Sequence, residues 1–249
     1  MSALGRPRLH LRSTDSTNER ARLLAMAQAP HGTLVTASLQ TAGRGRQGRS
    51  WTAPANSSLL MSLLLRSPPP LLPLIAAVAV CDVTGAEARI KWPNDVVLER
   101  ETGLAKLAGI LVEGRPQEGW AIVGIGLNVA VRPAEMPAGL RERVASLGRS
   151  SAEIEPTLER LLEALERRLL QPEGAILEAW RARDALHGRE IAWGTPGATK
   201  GAGRGRAEGV DGMGRLIVGL PDGGRRSLGS GEVHLLDPLE LRQQRRLRG

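Results

Sequence analysis

The chain has 249 residues, with 34 Lys and Arg against 26 Asp and Glu for a formal charge of +8, 41% hydrophobic residues, one cysteine, and neither Phe nor Tyr. This length suits one large domain, or a catalytic domain with a small appendage, and the composition is that of an ordinary globular protein. A lone Cys81 excludes an intrachain disulfide, and the positive balance favours anionic partners without naming one.

From the amino end, MSALGRPRLHLRSTD lacks the apolar core of a signal peptide, and Arg8 to Arg12 alternates as a short strand does. Ser16-Thr17-Asn18-Glu19 has the spacing of a capping box, so ERARLLAMAQ is expected as a helix that ends before Pro30 and Gly32. TLVTASL reads as a β-branched strand. It leads into QTAGRGRQGRSW (40–51), where three glycines and three arginines precede one tryptophan. SLLMSLLLR (58–66) is a continuous apolar strand covered on both faces. The uncharged stretch from Ser67 to Cys81 carries four prolines and falls short of the roughly 20 residues a membrane span needs. It continues as a buried helix with Cys81 as a small core residue. A cytoplasmic enzyme is the expectation.

Three strand-like pieces follow, ARIKW, KLAGILVEG and WAIVGIGLNVAV, with PND (93–95) as a turn. Helices are expected over 156–171 and 173–187, the first with apolar residues at i, i+3, i+4 spacing. Beyond His187 the texture changes to short β-like runs, EIAW, RLIVGL and EVHLL, between the glycine-rich turns GAGRGR (201–206), DGMG and PDGG. Short strands so close together suggest a small barrel. The domain boundary is therefore set near residue 187, giving domains over 1–186 and 187–249.

Familiar catalytic motifs are missing. There is no G-x-x-x-x-G-K-[ST] and no G-x-S-x-G, GIGLN (124–128) lacks the third glycine of a dinucleotide fingerprint, and four dispersed His with one Cys cannot form a zinc site. Four polar clusters instead stand at the ends of apolar strands: DSTN (15–18), QTAGRGRQGRSW, KWPND (91–95) and KLAGILVE (106–113), with GIGLN behind them. Taken singly, each has a bland reading: a helix cap, a basic loop, a turn, a solvated strand-start lysine, and close strand packing at glycine.

Together and in this order, the clusters resemble the catalytic domain of biotin protein ligases over roughly Arg12 to Val131, with a weaker likeness through the C-terminal region. The resemblance implies an α+β fold: a mixed β-sheet with flanking helices, like that of biotin and lipoate ligases, plus a small C-terminal SH3-like β-barrel. It also implies a reaction in two steps. The carboxylate of biotin attacks the α-phosphate of ATP, with Mg2+, to give biotinyl-5′-adenylate and pyrophosphate; a lysine of a biotin carboxyl carrier protein then displaces AMP. Such chemistry needs fixed positive charge on the phosphates, and arginine forks on a glycine backbone can wrap an anion and exclude water.

Carried over residue by residue, Lys106, Arg44 and Arg46 match the catalytic cations, with Lys106 bridging carboxylate and α-phosphate. Ser16, Thr17, Asn18, Gln40, Gly45 and Gly109 complete the biotin set, hydroxyl and amide groups suiting a ureido head. Arg49, Trp51, Lys91, Asn94 and Asn128 match the ATP and adenylate side, Trp51 and Trp92 chiefly by packing beneath the loops, and Asp95 matches the position near magnesium. The glycine-arginine loop is expected to be open when empty and to order over the adenylate.

The loop RPAEMPAGLRERVASL (132–147) departs from the family pattern, since it carries no aromatic to stack on adenine. The DSTN cluster begins by residue 15, so no DNA-binding domain is expected before it. The partners expected are biotin, ATP and the carrier protein, with no membrane and no sequence-specific DNA, for a monomer or homodimer. Two other readings stand beside this one: a lipoate ligase or octanoyltransferase of similar fold, and a nucleic-acid-binding module suggested by the +8 charge and the tail LRQQRRLRG. Against the module stand only five Trp for base stacking.

Overall fold

Strand β1 (Arg8–Leu11), helix α1 (Thr17–Met26) and strand β2 (Leu34–Ala37) begin the chain in a computed structural model that describes residues 4–194, 202–229, 231 and 233–236. A small hairpin follows, β3 (Gly43–Arg44) with β4 (Ser50–Trp51), and then β5 (Ser58–Arg66) and α2 (Leu72–Thr84). Next come β6 (Arg89–Lys91), β7 (Asp95–Arg100), β8 (Gly103–Arg115), β9 (Trp120–Asn128), α3 (Ile154–Leu169) and α4 (Glu173–Arg181). The last strands are β10 (Glu190–Trp193), β11 (Gly203–Val210), β12 (Leu216–Gly219), β13 (Arg225–Leu228) and β14 (Val233–Leu235). Residues up to Ile90 with Asn94–Arg183 form one compact unit, and Lys91–Pro93 with the described residues from Asp184 onward form a second.

The first unit is built on a seven-stranded sheet in the order β1-β2-β5-β9-β8-β7-β6. Strand β1 runs parallel to β2, while the β2–β5, β5–β9, β9–β8 and β8–β7 pairs are antiparallel, so the sheet is mixed as expected. The apolar run of β5 is buried along eight of its nine residues, which suits a central strand covered on both faces. Helix α1 sets Ala21 and Ala25 against Val35, Leu64, Trp120 and Ile122. Helix α2, apolar all round and with every residue from Leu74 to Cys81 buried, packs on α3 and α4 as an interior helix. In α3, Leu158, Leu161, Ala164 and Leu165 make the buried stripe, and Arg167 and Arg168 pair with Asp82 of α2.

Several expectations change. Ser16 does cap α1, but its hydroxyl makes no cap hydrogen bond; the Ser16 amide donates to Asp15 Oδ1 at 2.7 Å, and Glu19 is drawn to Arg22 instead of reaching back. The two later helices run over Ile154–Leu169 and Glu173–Arg181 instead of 156–171 and 173–187. Strand β7 begins at Asp95, directly after the turn at Trp92–Asn94, where a chain read only as KWPND showed no strand. The stretch QTAGRGRQGRSW forms the β3–β4 hairpin around a short 3-10 turn (Arg46–Gly48) with Gln47 at φ 55.

The second unit carries a five-stranded antiparallel sheet in the order β13-β12-β11-β10-β14. GAGRGR, expected as a surface turn, instead runs into β11. Gly205 is required there because a β-carbon would overlap the Gly219 carbonyl of the neighbouring strand, and Gly203 because one would overlap the Trp193 indole. Among the described residues no pairing joins β13 to β14, so the expected SH3-like barrel is seen as a five-stranded sheet. The basic tail LRQQRRLRG lies outside the described residues. No helix among them is long and apolar enough to cross a membrane.

Candidate active site

Strands β8 and β9 pair so that Gly109 faces Gly126 and Leu111 faces Gly124. These glycines leave a shelf. A β-carbon at Gly126 would collide with the Trp51 indole, one at Gly124 with Asn18 Oδ1, and one at Gly109 would press within 3.0 Å of both Trp51 and the Lys106 stem. The bland reading of GIGLN as close packing therefore holds in part, because what packs closely is the site itself.

Lys106 stands at an irregularity. Val96 pairs with Ala108 and Val97 with Lys106, so Leu107 has no partner on β7, and this bulge re-aims the lysine. Its Nζ lies 2.7 Å from Asp95 Oδ1 and 5.6 Å from the centre of the Trp51 ring. The ion pair lacks hydrogen-bond alignment, so the buried Asp95 Oδ1 receives no hydrogen bond. The Lys106 backbone is bonded on both sides, its amide to the Arg143 carbonyl at 2.7 Å and its carbonyl from the Ala145 amide at 2.8 Å. Asn128 secures that loop: Nδ2 donates to the Ala145 carbonyl at 2.9 Å, and Oδ1 accepts the Ser58 hydroxyl at 3.1 Å. Asn94 donates to the Ile110 carbonyl at 3.0 Å, pinning the turn before β7 onto β8. Asn94 and Asn128 thus hold the frame around Lys106.

The amino end of α1 meets this shelf. Gln40 Oε1 accepts the Thr17 amide at 2.7 Å and the Thr17 hydroxyl at 3.0 Å. The Ser62 hydroxyl lies 2.8 Å from Thr17 Oγ1 and 2.6 Å from Asn18 Oδ1. Asn18 Nδ2 donates to Glu113 Oε2 at 2.8 Å. Thr17, Asn18 and Gln40 are thus bonded to their neighbours, while the Ser16 hydroxyl has no partner among the described residues.

The hairpin lies over these groups. Arg44 reaches Glu113 at 3.1 Å and Glu19 at 3.4 Å. Glu19 is held below the usual carboxylate range by its hydrogen bond from Arg22, with Arg44 adding to the effect. Arg46 behaves differently. It is half-buried, burial pushes its pKa down against the attraction of Asp95, Arg49 pushes the same way as burial, and its guanidinium makes no hydrogen bond or ion pair among the described residues. Gly45 donates its amide to the Arg49 carbonyl at 2.7 Å, closing the turn, and leaves the Arg49 side chain exposed. The Trp51 Nε1 is buried without an acceptor among the described residues.

The first unit therefore brings together Ser16, Thr17, Asn18, Gln40, Arg44, Gly45, Arg46, Arg49, Trp51, Asn94, Asp95, Lys106, Gly109 and Asn128. Lys91 ends β6 and falls in the second unit, as does Trp92, whose Nε1 donates to the Gly214 carbonyl at 3.1 Å. Glu19 was read in the sequence only as a helix-cap residue, and Ser62, Ser58 and Glu113 were not singled out by the sequence reading. Its available signal for the serines was two hydroxyls four residues apart in an otherwise apolar strand, and hence on one face.

Comparison with known proteins places the chain among ligases. Residues 10–129 match the model of the Biotin/lipoate A/B protein ligase family. The chain is 40% identical over 150 residues to the Bifunctional ligase/repressor BirA of Bacillus subtilis, a match covering 55% of this chain but only 45% of that protein. With the Biotin--[acetyl-CoA-carboxylase] ligase of Paracoccus denitrificans it shares 35% identity, covering 90% of this chain and 98% of the other. Among solved structures, the biotin protein ligase from Aquifex aeolicus in complex with biotin and ATP superposes with a TM-score of 0.76 at 26% identity, covering 93% of this chain and 99% of that one. With 35% identity over nearly the whole length of a named biotin ligase, the chain belongs to the biotin protein ligase family.

Proposed function

We propose that the chain is an ATP-dependent biotin–protein ligase, which activates biotin as biotinyl-5′-adenylate and transfers it to a lysine of a biotin carboxyl carrier protein. The observation that carries this reading is Arg46: a half-buried guanidinium with no acceptor among the described residues, near the Asp95–Lys106 pair. Such a cation calls for an anionic ligand. The names of the similar proteins, and the biotin and ATP in the Aquifex aeolicus complex, supply the identity of that ligand.

In the first step a biotin carboxylate oxygen bonds to the α-phosphorus while the bond to pyrophosphate breaks. Lys106 and Arg46 hold the oxygens on which charge gathers, a role worth most where the groups are already placed. In the second step the carrier amine attacks the activated carbonyl, AMP departs with the bonding pair, and the amine proton is lost to solvent. Thr17, Asn18 and the free Ser16 hydroxyl set the head of the ligand, and the hairpin excludes water from the mixed anhydride.

Asp95 fits Mg2+ delivered with ATP, because a single carboxylate, here paired with Lys106, suits an ion that keeps phosphate and water ligands. Bound there, the ion would neutralise phosphate charge. The second unit reads as the SH3-like barrel: Arg226 on β13 stacks 5.7 Å from the Trp193 ring on β10, which supports a curled sheet. A division into a catalytic domain over 1–186 and a small domain over 187–249, a cytoplasmic location and a monomer or homodimer complete the proposal.

Incubation with biotin, MgATP and a carrier domain, followed by mass measurement, should show the carrier heavier by one biotinyl group. Exchange of pyrophosphate into ATP that depends on lipoate instead of biotin would favour the lipoate ligase reading. Neither adenylate nor biotinyl-carrier with several carrier domains would sink the proposal.

A further inference from the structure

We infer that Glu113 is a positioning residue that ties the cover hairpin to the amino end of α1, an assignment that rests on the ligase reading above. Glu113 sits on β8 opposite Ile122 of β9, so its backbone is fixed within the seven-stranded sheet. Its two carboxylate oxygens serve different parts of the site: Oε2 accepts Asn18 Nδ2 at 2.8 Å, and Oε1 lies 3.1 Å from Arg44 Nη2. A carboxylate only accepts, as does the Leu111 carbonyl 3.3 Å from the same amide nitrogen, and together they dictate how Asn18 turns. Asn18 Oδ1 is thereby aimed at Ser62 and the space over Gly124, which lacks the β-carbon that would strike it.

The other arm of Glu113 holds the cover. Arg44 has a second anion in Glu19, but at 3.4 Å, and Glu19 is already engaged by Arg22. Glu113 is the anchor closer to Arg44 and joins it to the ligand-head cluster through a single side chain. The side chains of Arg44 and Glu113 are 47% and 33% exposed, and a pair so open to water contributes little to folding. Its effect therefore lies in where Arg44 and Asn18 stand, and misplacement of a site group by about 1 Å can cost up to a hundredfold.

Glu113→Gln keeps the size and an acceptor for Asn18 while removing the charge that holds Arg44. In the ligand-free protein, amides 43–49 should exchange several-fold faster in Glu113→Gln than in the unmodified chain, with those of β5 unchanged. In pyrophosphate exchange, KM for biotin should rise roughly tenfold or more, with kcat changed far less. The Glu113→Gln/Arg44→Gln double variant should show the same KM as Arg44→Gln alone, because the two residues act as one device. Unchanged amide exchange, additive effects on KM, or a melting temperature lowered by more than about 5 °C, the mark of a structural role, would each overturn the assignment. An unmodified chain without biotin-dependent exchange would instead fail the ligase reading, and the amide comparison, which needs no activity, would still decide the tether.

Discussion

Lys106 is fixed by its backbone to Arg143 and Ala145, by charge to Asp95, and over the Trp51 ring. Lys106→Ala should leave the backbone bonds in place and remove one preorganised cation, so adenylate formation should fall by roughly 3 kcal/mol, a hundredfold or more, while carrier binding is kept. A variant that forms adenylate at a near-normal rate would reduce Lys106 to a surface lysine. Gly124 tests the other end of the ligand. An added methyl overlaps Asn18 Oδ1 inside a buried strand, so Gly124→Ala should weaken biotin binding and lower stability by about 1–3 kcal/mol, read by titration and thermal melting. Asp184, in the second unit, has a stability role with a clear sign. Burial pushes its carboxyl above the ordinary 3.8, with the hydrogen bond from the Leu186 amide opposing, and Oδ2 has no hydrogen-bond partner among the described residues. The folded state keeps this proton longer than the unfolded state, so stability falls as pH rises from about 3.8 through the folded value, and the deficit persists above it. Asp184→Asn should therefore raise the melting temperature at pH 7 and not at pH 3. An equal gain at both pH values would remove burial of the charge as its cause.

At the level of elements, the hairpin over the shelf carries the most consequence. Three glycines in QTAGRGRQGRSW give the segment a large conformational entropy; its amino end is tied by the Thr41 and Ala42 amides to the Thr14 and Asp15 carbonyls, and the hairpin beyond is held by side chains that include Arg44 on two carboxylates and Trp51 on two glycines. Arg46 gains charge-assisted hydrogen bonds only when an anion is bound, so the adenylate should slow amide exchange over residues 43–49. Arg46→Gly should still make adenylate but release it faster, and carrier specificity should fall as free adenylate reacts with other amines. Identical exchange with and without adenylate, and normal retention by the variant, would leave only a basic loop. Elements with a strong period or a long apolar run, such as β5, α2 and α3, were legible because burial alone determines their patterns. Strand β7 was not, since Val96 and Val97 are buried in succession at the bulge and the alternation that marks a strand is lost there. Strand β11 was hidden because glycine at 203 and 205 answers to a tryptophan ten residues earlier and a carbonyl on the next strand, contacts that exist only in the folded sheet. The site shows the same division. Its cations and hydroxyls were legible as clusters, whereas Ser62 and Glu113 acquire meaning only when β5 and β8 are brought beside α1.

For the whole molecule, the +8 charge raises the question of nucleic acid. Much of the positive charge is locally balanced: Arg8 pairs with Glu155, Arg20 with Asp15, Arg167 and Arg168 with Asp82, Arg215 with Asp211, and Arg225 with Glu208. The site cations, Arg44 and Lys106, face carboxylates as well. A cation already paired gains less from a phosphate, since it must give up one anion to take another. What remains is a diffuse excess that attracts a polyanion without reading it, because sequence is read by contacts to base edges and phosphate contacts carry none of that information. Binding of this chain to duplex DNA should therefore be weak, the same for unrelated sequences, and governed by counterion release, with affinity falling steeply and log-linearly as salt rises from roughly 50 to 200 mM. Fluorescence anisotropy on two duplexes of equal length and different sequence, titrated over that range with and without biotin and ATP, measures all three properties. Binding that survives the higher salt and prefers one duplex would require a base-reading surface, and the basic charge would then have a function beyond steering anionic substrates toward the shelf.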